Sequence, residues 1–135
     1  LGLTQNFWKI AMRPGKPLMA GRLGNAVMLG LPGNPVSAIV TAHLFLLPLL
    51  AHLQGLPARH DTRQARLATA VEANGPRTHY MRARLSSGDG MASITPMGSQ
   101  DSALLTILSQ AGALLIRPLG DGARPTGSVV EYLPL

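Results

Sequence analysis

Two cationic side chains that lie close together in the sequence could bind an anion. Arg13 and Lys16 flank the dipeptide Pro14-Gly15, and Pro17 follows directly. Pro-Gly is typical of the centre of a type II turn, and the second proline stiffens the exit from it. Two cations fixed side by side repel one another unless an anion lies between them. The spacing therefore favours an oxyanion site, although an ordinary exposed turn with charged flanks would have the same sequence.

A second candidate for anion binding is the segment 29–38, LGLPGNPVSA. It predicts the end of a strand, a turn through Gly33, and the first turn of a helix with Asn34 as N-cap and Pro35 at the first helical position. The N–H groups that follow, including that of Ser37, have no partner within a helix, and the positive end of the helix dipole lies there. Such a turn can hold an anion, but most turns of this kind bind nothing.

The charge distribution favours a small anionic ligand. Residues 1–60 contain five Lys or Arg and no Asp or Glu, whereas residues 61–135 contain seven Arg and six acidic residues. A half without carboxylates attracts anions. The net charge of +6 would also suit nucleic acid, but there is no run of basic residues and only 4% of the chain is aromatic. Base stacking needs aromatic side chains, so a compact oxyanion fits better than a polymer.

Metal and disulfide chemistry find little support in the sequence. The chain has no Cys, and its four His and six acidic residues show no metal-ligand spacing. Disulfides and thiolate metal sites are therefore excluded, and a reducing compartment is expected. No segment resembles a signal peptide, and the first residue is Leu1 rather than Met, so we expect these residues to belong to a longer chain.

The N-terminal part is predicted to contain three strands and one long helix. The strands are expected at residues 7–12, 18–23 and 26–31, and Gly24-Asn25 joins the last two as a hairpin. The helix is expected from Pro35 to about Gln54, with Gly55 ending it.

This helix is apolar on nearly all sides from Ala38 to Leu53 and must be covered on every side. Residues 1–34 are too few to cover it, so we expect the end of a larger α/β domain. The helix is shorter than the ~20 residues of a membrane span and contains Pro48, which should kink it, so no membrane is expected.

The pattern changes after residues 57–62, which are predicted to be a linker. Five short strands separated by Gly-containing turns are expected near residues 66–71, 78–85, 91–97, 113–116 and 128–133. This spacing is typical of a small β-barrel or sandwich. We therefore predict a chain of class α/β plus β, with one part at 1–56 and a second at 63–135.

Four motifs in this order resemble the molybdopterin molybdenumtransferases, a family that includes the C-terminal region of gephyrin. They are Pro-Gly-Lys-Pro at 14–17, Leu-Pro-Gly-Asn-Pro-Val-Ser at 31–37, Arg-x-x-aromatic-x-Arg at 77–82 and Gly-x-Gln-x-Ser at 98–102. The resemblance covers nearly the whole chain, but only the last two segments of a longer protein. It implies the C-terminal part of a three-layer α/β molybdopterin-binding domain, followed by a small all-β barrel.

The resemblance implies the last step of molybdenum cofactor assembly. In that step molybdate enters the dithiolene of adenylylated molybdopterin, and AMP leaves with the help of Mg²⁺. The family further implies a cytoplasmic, homodimeric transferase whose partners are small anionic molecules rather than nucleic acid or membrane. Because residues 1–60 contain no acidic residue, the Mg²⁺ ligands are expected outside this chain, which should be inactive alone.

The matching motifs also imply which residues bind molybdate. The first group is Arg13, Lys16, Pro17 and Ser37, and a separate group on the barrel is Arg77 and Ser102. Charged and neutral donors of these types suit a tetrahedral dianion, and their roles would be capture, positioning and electrostatic stabilisation. No catalytic acid or base is identified.

Two alternatives from other classes stay open. A scaffolding module of the gephyrin type would need surface grooves rather than cationic side chains that converge on one point. A basic nucleic-acid-binding barrel should bind oligonucleotides with a steep salt dependence.

Overall fold

Three strands from the first thirty residues form an antiparallel sheet. The computed structural model describes residues 2–7, 10–88, 90–98 and 109–135. Strands β1 (Leu3–Phe7), β3 (Met19–Leu23) and β4 (Ala26–Gly30) lie in the order β1-β3-β4. The predicted hairpin is confirmed, because β3 and β4 are joined by a two-residue turn in which Gly24 has a φ of +57°.

The predicted strand over residues 7–12 is wrong in its position. Strand β1 ends at Phe7, and the chain bends at Ala11 before a two-residue strand, β2 (Met12–Arg13), which belongs to a different sheet. The backbone N–H of Met12 donates to the Ile10 carbonyl at 2.9 Å, which closes this bend. The bend allows the Met12 side chain to be buried. Side chains alternate between two faces along an extended strand, so the pattern that predicts a strand does not predict this bend.

The long helix runs from Pro35 to Leu53 in three parts. They are α1 (Pro35–Thr41), a π turn (Ala42–Leu46) and α2 (Leu47–Leu53). Pro48 has no N–H, and its ring crowds the carbonyl four residues earlier, so regular α geometry is disfavoured there. The π turn ends directly before Leu47 and Pro48, where the sequence predicts an irregularity. Gly55, with a φ of +73°, follows the end of the helix as predicted.

One side of this helix is packed and the other is open. Val36, Val40 and Leu44 are buried, whereas Leu47 and Leu53 are 53% and 61% exposed. By length and composition the helix could cross a membrane, and 28% of its most apolar stretch is buried in the structure. Core helices of larger soluble proteins meet the same criterion, so the finding does not distinguish the two cases. An exposed apolar face of this size usually marks a surface that another molecule or another part of the protein contacts.

Five strands in the second half close into a barrel, as predicted. They are β5 (Arg63–Leu67), β6 (Thr78–Ser86), β7 (Ser93–Pro96), β8 (Ala113–Arg117) and β9 (Val129–Pro134). Their order is β6-β7-β5-β9-β8, and β8 pairs with β6 to close the ring. The fold class α/β plus β is thus confirmed, while the boundaries at residues 56 and 63 stay a prediction.

The first barrel strand begins three residues earlier than the sequence predicts. Residues 63–66 pair with β9, and of the residues from 68 to 71 only Val71 makes a bridge, with Arg124. The period-two alternation over 66–71 is therefore a poor guide here, because the pairing with β9 decides where the strand starts.

Two apolar clusters hold the parts together. The barrel interior contains Leu67, Ala83, Ile94, Leu115 and Tyr132, among others. The second cluster lies outside the barrel wall and joins Met12, Val40 and Leu44 to Leu114 and Leu133. Successive residues of β8 therefore face opposite sides, one towards the barrel interior and the next towards the helix.

A buried ion pair lies at one end of the barrel. Arg117 at the end of β8 is 2% exposed, and its Nε donates to Asp121 Oδ2 at 2.6 Å. Its Nη2 donates to the carbonyls of Glu72 and Gly122 at 3.0 and 2.7 Å. The other carboxylate oxygen of Asp121 accepts from Arg124 Nε and Nη2 at 3.0 and 2.7 Å. These hydrogen bonds, from Arg124 first and then Arg117, lower the pKa of Asp121.

Replacing the buried carboxylate should destabilise the barrel. Asp121→Asn leaves the buried Arg117 guanidinium without a counter-charge, so the free energy of unfolding should fall by roughly 3 kcal/mol. Urea unfolding at neutral pH measures this change. The matched control is Asp61→Asn, because the Asp61–Arg63 ion pair is exposed, and its loss should have a much smaller effect. Equal effects of the two substitutions would contradict a stabilising role for the buried pair.

Candidate functional site

The cationic turn is seated on the first part of the long helix. Gly15 is buried, with a φ of +107°, and a Cβ at this position would collide with Cγ2 of Thr41. The peptide bond between Arg13 and Pro14 is cis. Because only glycine fits both the backbone conformation and the space, the turn and the helix are held in close contact here.

The helix side of this contact contains the predicted donor Ser37. Thr41 is fully buried, and its Oγ1 donates to the Ser37 carbonyl at 2.7 Å. Asn34 caps the helix as predicted, since its Oδ1 accepts from the Ser37 backbone N–H at 3.1 Å. Ser37 is 7% exposed, while Lys16 and Pro17 are exposed on the turn. The turn that carries Lys16 thus packs one helical turn beyond Ser37.

The short strand β2 connects this turn to the barrel. It pairs in parallel with β6, so that Met12 lies opposite Thr78 and Arg13 opposite His79. The backbone N–H of Thr78 donates to the Ala11 carbonyl at 2.9 Å. This pairing joins two segments that are separated by more than sixty residues in the sequence, which no local pattern could predict.

As a result Arg13 and Arg77 share one cavity. They line a space of about 40 Å³ together with Asn74, Gly75 and Pro76. The sequence analysis assigns Arg13 and Arg77 to two separate groups of molybdate contacts. Both residues nevertheless line this one cavity, next to the pairing of β2 with β6. Ser102, the other predicted barrel contact, lies outside the described residues.

Asn74 fixes the backbone next to Arg77, and sequence reasoning missed it. Its Nδ2 lies 2.8 Å from the Arg77 carbonyl and 2.7 Å from the Pro118 carbonyl, and its backbone N–H donates to the Asp121 carbonyl at 2.7 Å. The loop before β6 is therefore tied to the loop after β8. The Asn-Gly-Pro sequence at 74–76 signals a turn, but not that the asparagine side chain joins two loops.

His79 and Arg117 are two further residues of this region that the sequence analysis did not select. His79 lies between Arg13 and Arg117 across the neighbouring strands β2 and β8. It is 7% exposed. Burial, and after it the positive charges of Arg13, Arg82, Arg117 and Arg77, lower the pKa of His79 from 6.5 to about 4. The imidazole is therefore neutral at physiological pH and surrounded by cations.

The residue types near this junction are ones that can bind an oxyanion. Arg13 and Arg77 supply planar, forked donors, Lys16 supplies a compact charge, and Ser37 adds a neutral hydroxyl. No group of three or more His, Asp or Glu that could hold a metal ion occurs among the described residues. The chemistry that these residues can perform is binding and electrostatic stabilisation.

A side chain at Gly15 should disturb the seat of the turn. Gly15→Ala introduces both an unfavourable positive φ and the collision with Thr41, so we expect a loss of roughly 2–3 kcal/mol in the free energy of unfolding. Gly24→Ala is the matched control, because Gly24 also has a positive φ but has open space around it. The control should lose only about 1 kcal/mol, which thermal or urea unfolding can measure. Equal losses would mean that the contact with Thr41 does not restrain residue 15.

His79 should make the protein less stable in mild acid. Between pH 6.5 and about 4 the unfolded chain binds a proton that the folded imidazole does not, so the free energy of unfolding falls as the pH is lowered. The loss between pH 7 and pH 4.5 should be roughly 2–3 kcal/mol larger in the native protein than in His79→Gln. Carboxylates such as Asp121 titrate in both proteins, so the difference between the two urea-unfolding series isolates His79. Parallel pH profiles would show that the folded state binds the proton as readily as the unfolded chain.

Both parts of the chain match known families. Residues 64–135 match the MoeA C-terminal region (domain IV), and residues 1–52 match a probable molybdopterin binding domain. A 50-residue stretch is 62% identical to the molybdopterin molybdenumtransferase of Haemophilus influenzae and covers 37% of this chain and 12% of that protein. The enzyme of the same name from Bacillus subtilis is 30% identical over 134 residues, which are 98% of this chain and 31% of the relative.

Comparison with solved structures indicates the same family. A solved structure of a molybdenum cofactor biosynthesis protein from Pyrococcus furiosus superimposes with a TM-score of 0.77 at 25% sequence identity, and covers 98% of this chain and 46% of that chain. The chain spans about a third of the length of the Bacillus subtilis relative, although nearly all of the chain's own residues take part in the match. The C-terminal family model alone covers more than half of the residues. The chain therefore belongs to the MoeA family of molybdopterin molybdenumtransferases, of which it carries the C-terminal region and part of the preceding molybdopterin binding domain.

Proposed function

We propose that the protein acts in molybdenum cofactor biosynthesis, by inserting molybdate into adenylylated molybdopterin with release of AMP. Two observations support the proposal: the Arg13–Lys16 turn packs on the helix at Thr41, one turn after the capped start, and Arg13 and Arg77 line one cavity. The printed names of the relatives, molybdopterin molybdenumtransferases, support the same reaction.

Molybdate is a tetrahedral dianion and needs donors from several directions. Lys16 acts as a point charge on the turn, and Arg13 and Arg77 approach from the barrel side of the junction. Ser37 and the capped helix start supply neutral donors, and Ser102 is a further donor by resemblance to the family. Charge-assisted hydrogen bonds of this kind capture and orient the oxyanion, and they stabilise negative charge during transfer.

The residues in hand do not fit a Mg²⁺ site. Mg²⁺ prefers carboxylate oxygens, and residues 1–60 contain neither Asp nor Glu. Asp121, close to the junction, already accepts from two arginines with both of its oxygens. The ligands of this ion would be other residues of the complete protein.

The complete enzyme, in this proposal, contains more than these 135 residues. The open faces of the long helix and of the β3–β4 hairpin, which expose Ile39, Leu50 and Val27 among others, would be covered by other residues of a homodimeric, cytoplasmic protein. Its substrates would be small anions, with neither nucleic acid nor a membrane as partner. The chain by itself would bind oxyanions but lack the pterin and Mg²⁺ sites.

The test is a molybdate titration of the complete protein, with cofactor formation from adenylylated molybdopterin as the readout. Lys16→Ala should raise the molybdate concentration needed for half-maximal activity by about ten- to a hundredfold, because a charged donor worth roughly 1.5–3 kcal/mol is lost. Lys16→Arg should rescue only in part, since a planar fork replaces a compact ammonium. Ser37→Ala should cost less. Sulfate and tungstate should compete with molybdate.

Two further variants sharpen this test. Arg77→Ala should also weaken capture, because Arg77 shares a cavity with Arg13. Arg22→Ala is the control, because Arg22 is an exposed cation on the β3–β4 hairpin and should leave the molybdate dependence unchanged. A Lys16→Ala enzyme with the molybdate dependence of the native protein would refute the assignment. Oligonucleotide binding with a steep salt dependence would instead favour the nucleic-acid alternative.

A further inference from the structure

A row of three basic residues crosses one open end of the barrel. Arg13 on β2, His79 on β6 and Arg117 on β8 occupy directly opposite positions on three adjacent strands. Met81 and Ala83, which follow His79 on the same face of β6, pack into the barrel interior. His79 and Arg117 therefore stand at the mouth of that interior, rather than on the outer wall where the helix packs.

The mouth encloses a cavity of about 260 Å³. Val71 and Met81 form its apolar part, and Asn74 and Glu72 lie beside the row of basic residues. A water molecule takes up about 30 Å³ of liquid, so the cavity can hold a group several times that size. Ligand sites commonly lie in the mouths of β-barrels, with an apolar lining and a few convergent polar groups.

His79 is placed where it could contact a ligand in the mouth of the barrel. It is more than nine-tenths buried, it lines the cavity, and its imidazole makes no hydrogen bond to any residue that the structure describes. An anion in the cavity would give this imidazole an acceptor for its N–H. Arg13 likewise forms no ion pair within the described part of the chain, whereas Arg117 is held in place by Asp121.

The charge pattern selects an anion as that ligand. Arg13 and Arg117 flank the neutral His79 on the two neighbouring strands, and Arg77 and Arg82 add further positive charge around it. Glu72 is the one acidic residue among those that line the cavity, and it is exposed. A tetrahedral oxyanion at the mouth would accept from the neutral imidazole and from Arg13, and Arg117 would contribute a fixed positive charge.

We propose that the barrel mouth is a second anion site, which binds a phosphate-type oxyanion either as the free ion or as the phosphate group of a small monoester. This inference goes beyond the proposed function, because it adds His79, Asn74 and Arg117 and requires neither Lys16 and Ser37 nor molybdate insertion. Arg13 is common to the two sites.

The experiment titrates the complete protein with inorganic phosphate, and in parallel with glycerol phosphate, at low ionic strength. Calorimetry measures binding, and the NMR signals of the His79 imidazole, assigned with a His79 variant, report its position. Both measurements should saturate together. His79→Leu should weaken binding about tenfold, and His79→Gln should restore most of it, because the amide can donate a hydrogen bond. The matched control His43→Gln lies at another cavity and should bind as the native protein does.

The two probes separate the two forms of the ligand. Saturable binding of inorganic phosphate supports a site for the free ion, and binding of glycerol phosphate alone supports a site for a monoester. Absence of binding with both probes, or native-like binding by His79→Leu, would overturn the proposal. Lys16→Ala should leave phosphate binding at the mouth intact while it impairs molybdate capture, so this proposal and the proposed function can fail independently.

Discussion

The apolar contact between the long helix and the outer wall of the barrel determines where every charged group of the site lies. Val40 and Leu44 meet Leu114 and Leu133 there, and Met12 fills the space between them. Five apolar side chains removed from water supply a non-directional driving force. Their consequence is directional, however, because burying Met12 forces the next residue, Arg13, into register with β6. The cationic junction is thus a product of hydrophobic packing, and charge alone would oppose it.

The protein tolerates this concentration of positive charge by two different means. Arg117 is buried but shares Asp121 with Arg124, and two backbone carbonyls accept from it, so its charge is compensated within the fold. His79 carries no charge at neutral pH, because burial and its cationic neighbours disfavour the proton. The ion pair and the backbone hydrogen bonds fix the position of Arg117. The neutral imidazole of His79 stays available to donate a hydrogen bond.

Local patterns in the sequence were sufficient to predict the secondary-structure elements, but not how those elements pair and pack with one another. The Asn34 cap, the Gly24-Asn25 hairpin and the glycine after the helix each depend on a few neighbouring residues, and the structure confirms all three. The pairing of β2 with β6 depends on side chains from four distant segments, so the row Arg13–His79–Arg117 could not be predicted. The early start of β5 has a similar cause, since its partner β9 comes more than sixty residues later.

The division of strand β6 between several partners constrains how the length of the chain can vary. Its first two residues pair with β2, Ala83 and the residues before it pair with β8, and the residues from Ala83 onwards pair with β7. An insertion or deletion of one residue before Ala83 would reverse the face of every preceding side chain relative to the barrel. Such a change would move His79 to the outer wall, while Arg13 and Arg117 would keep their places on β2 and β8. Length changes between Ser86 and Ser93, where β6 and β7 are connected, would leave the junction untouched, so we expect related sequences to differ in length there rather than within β6.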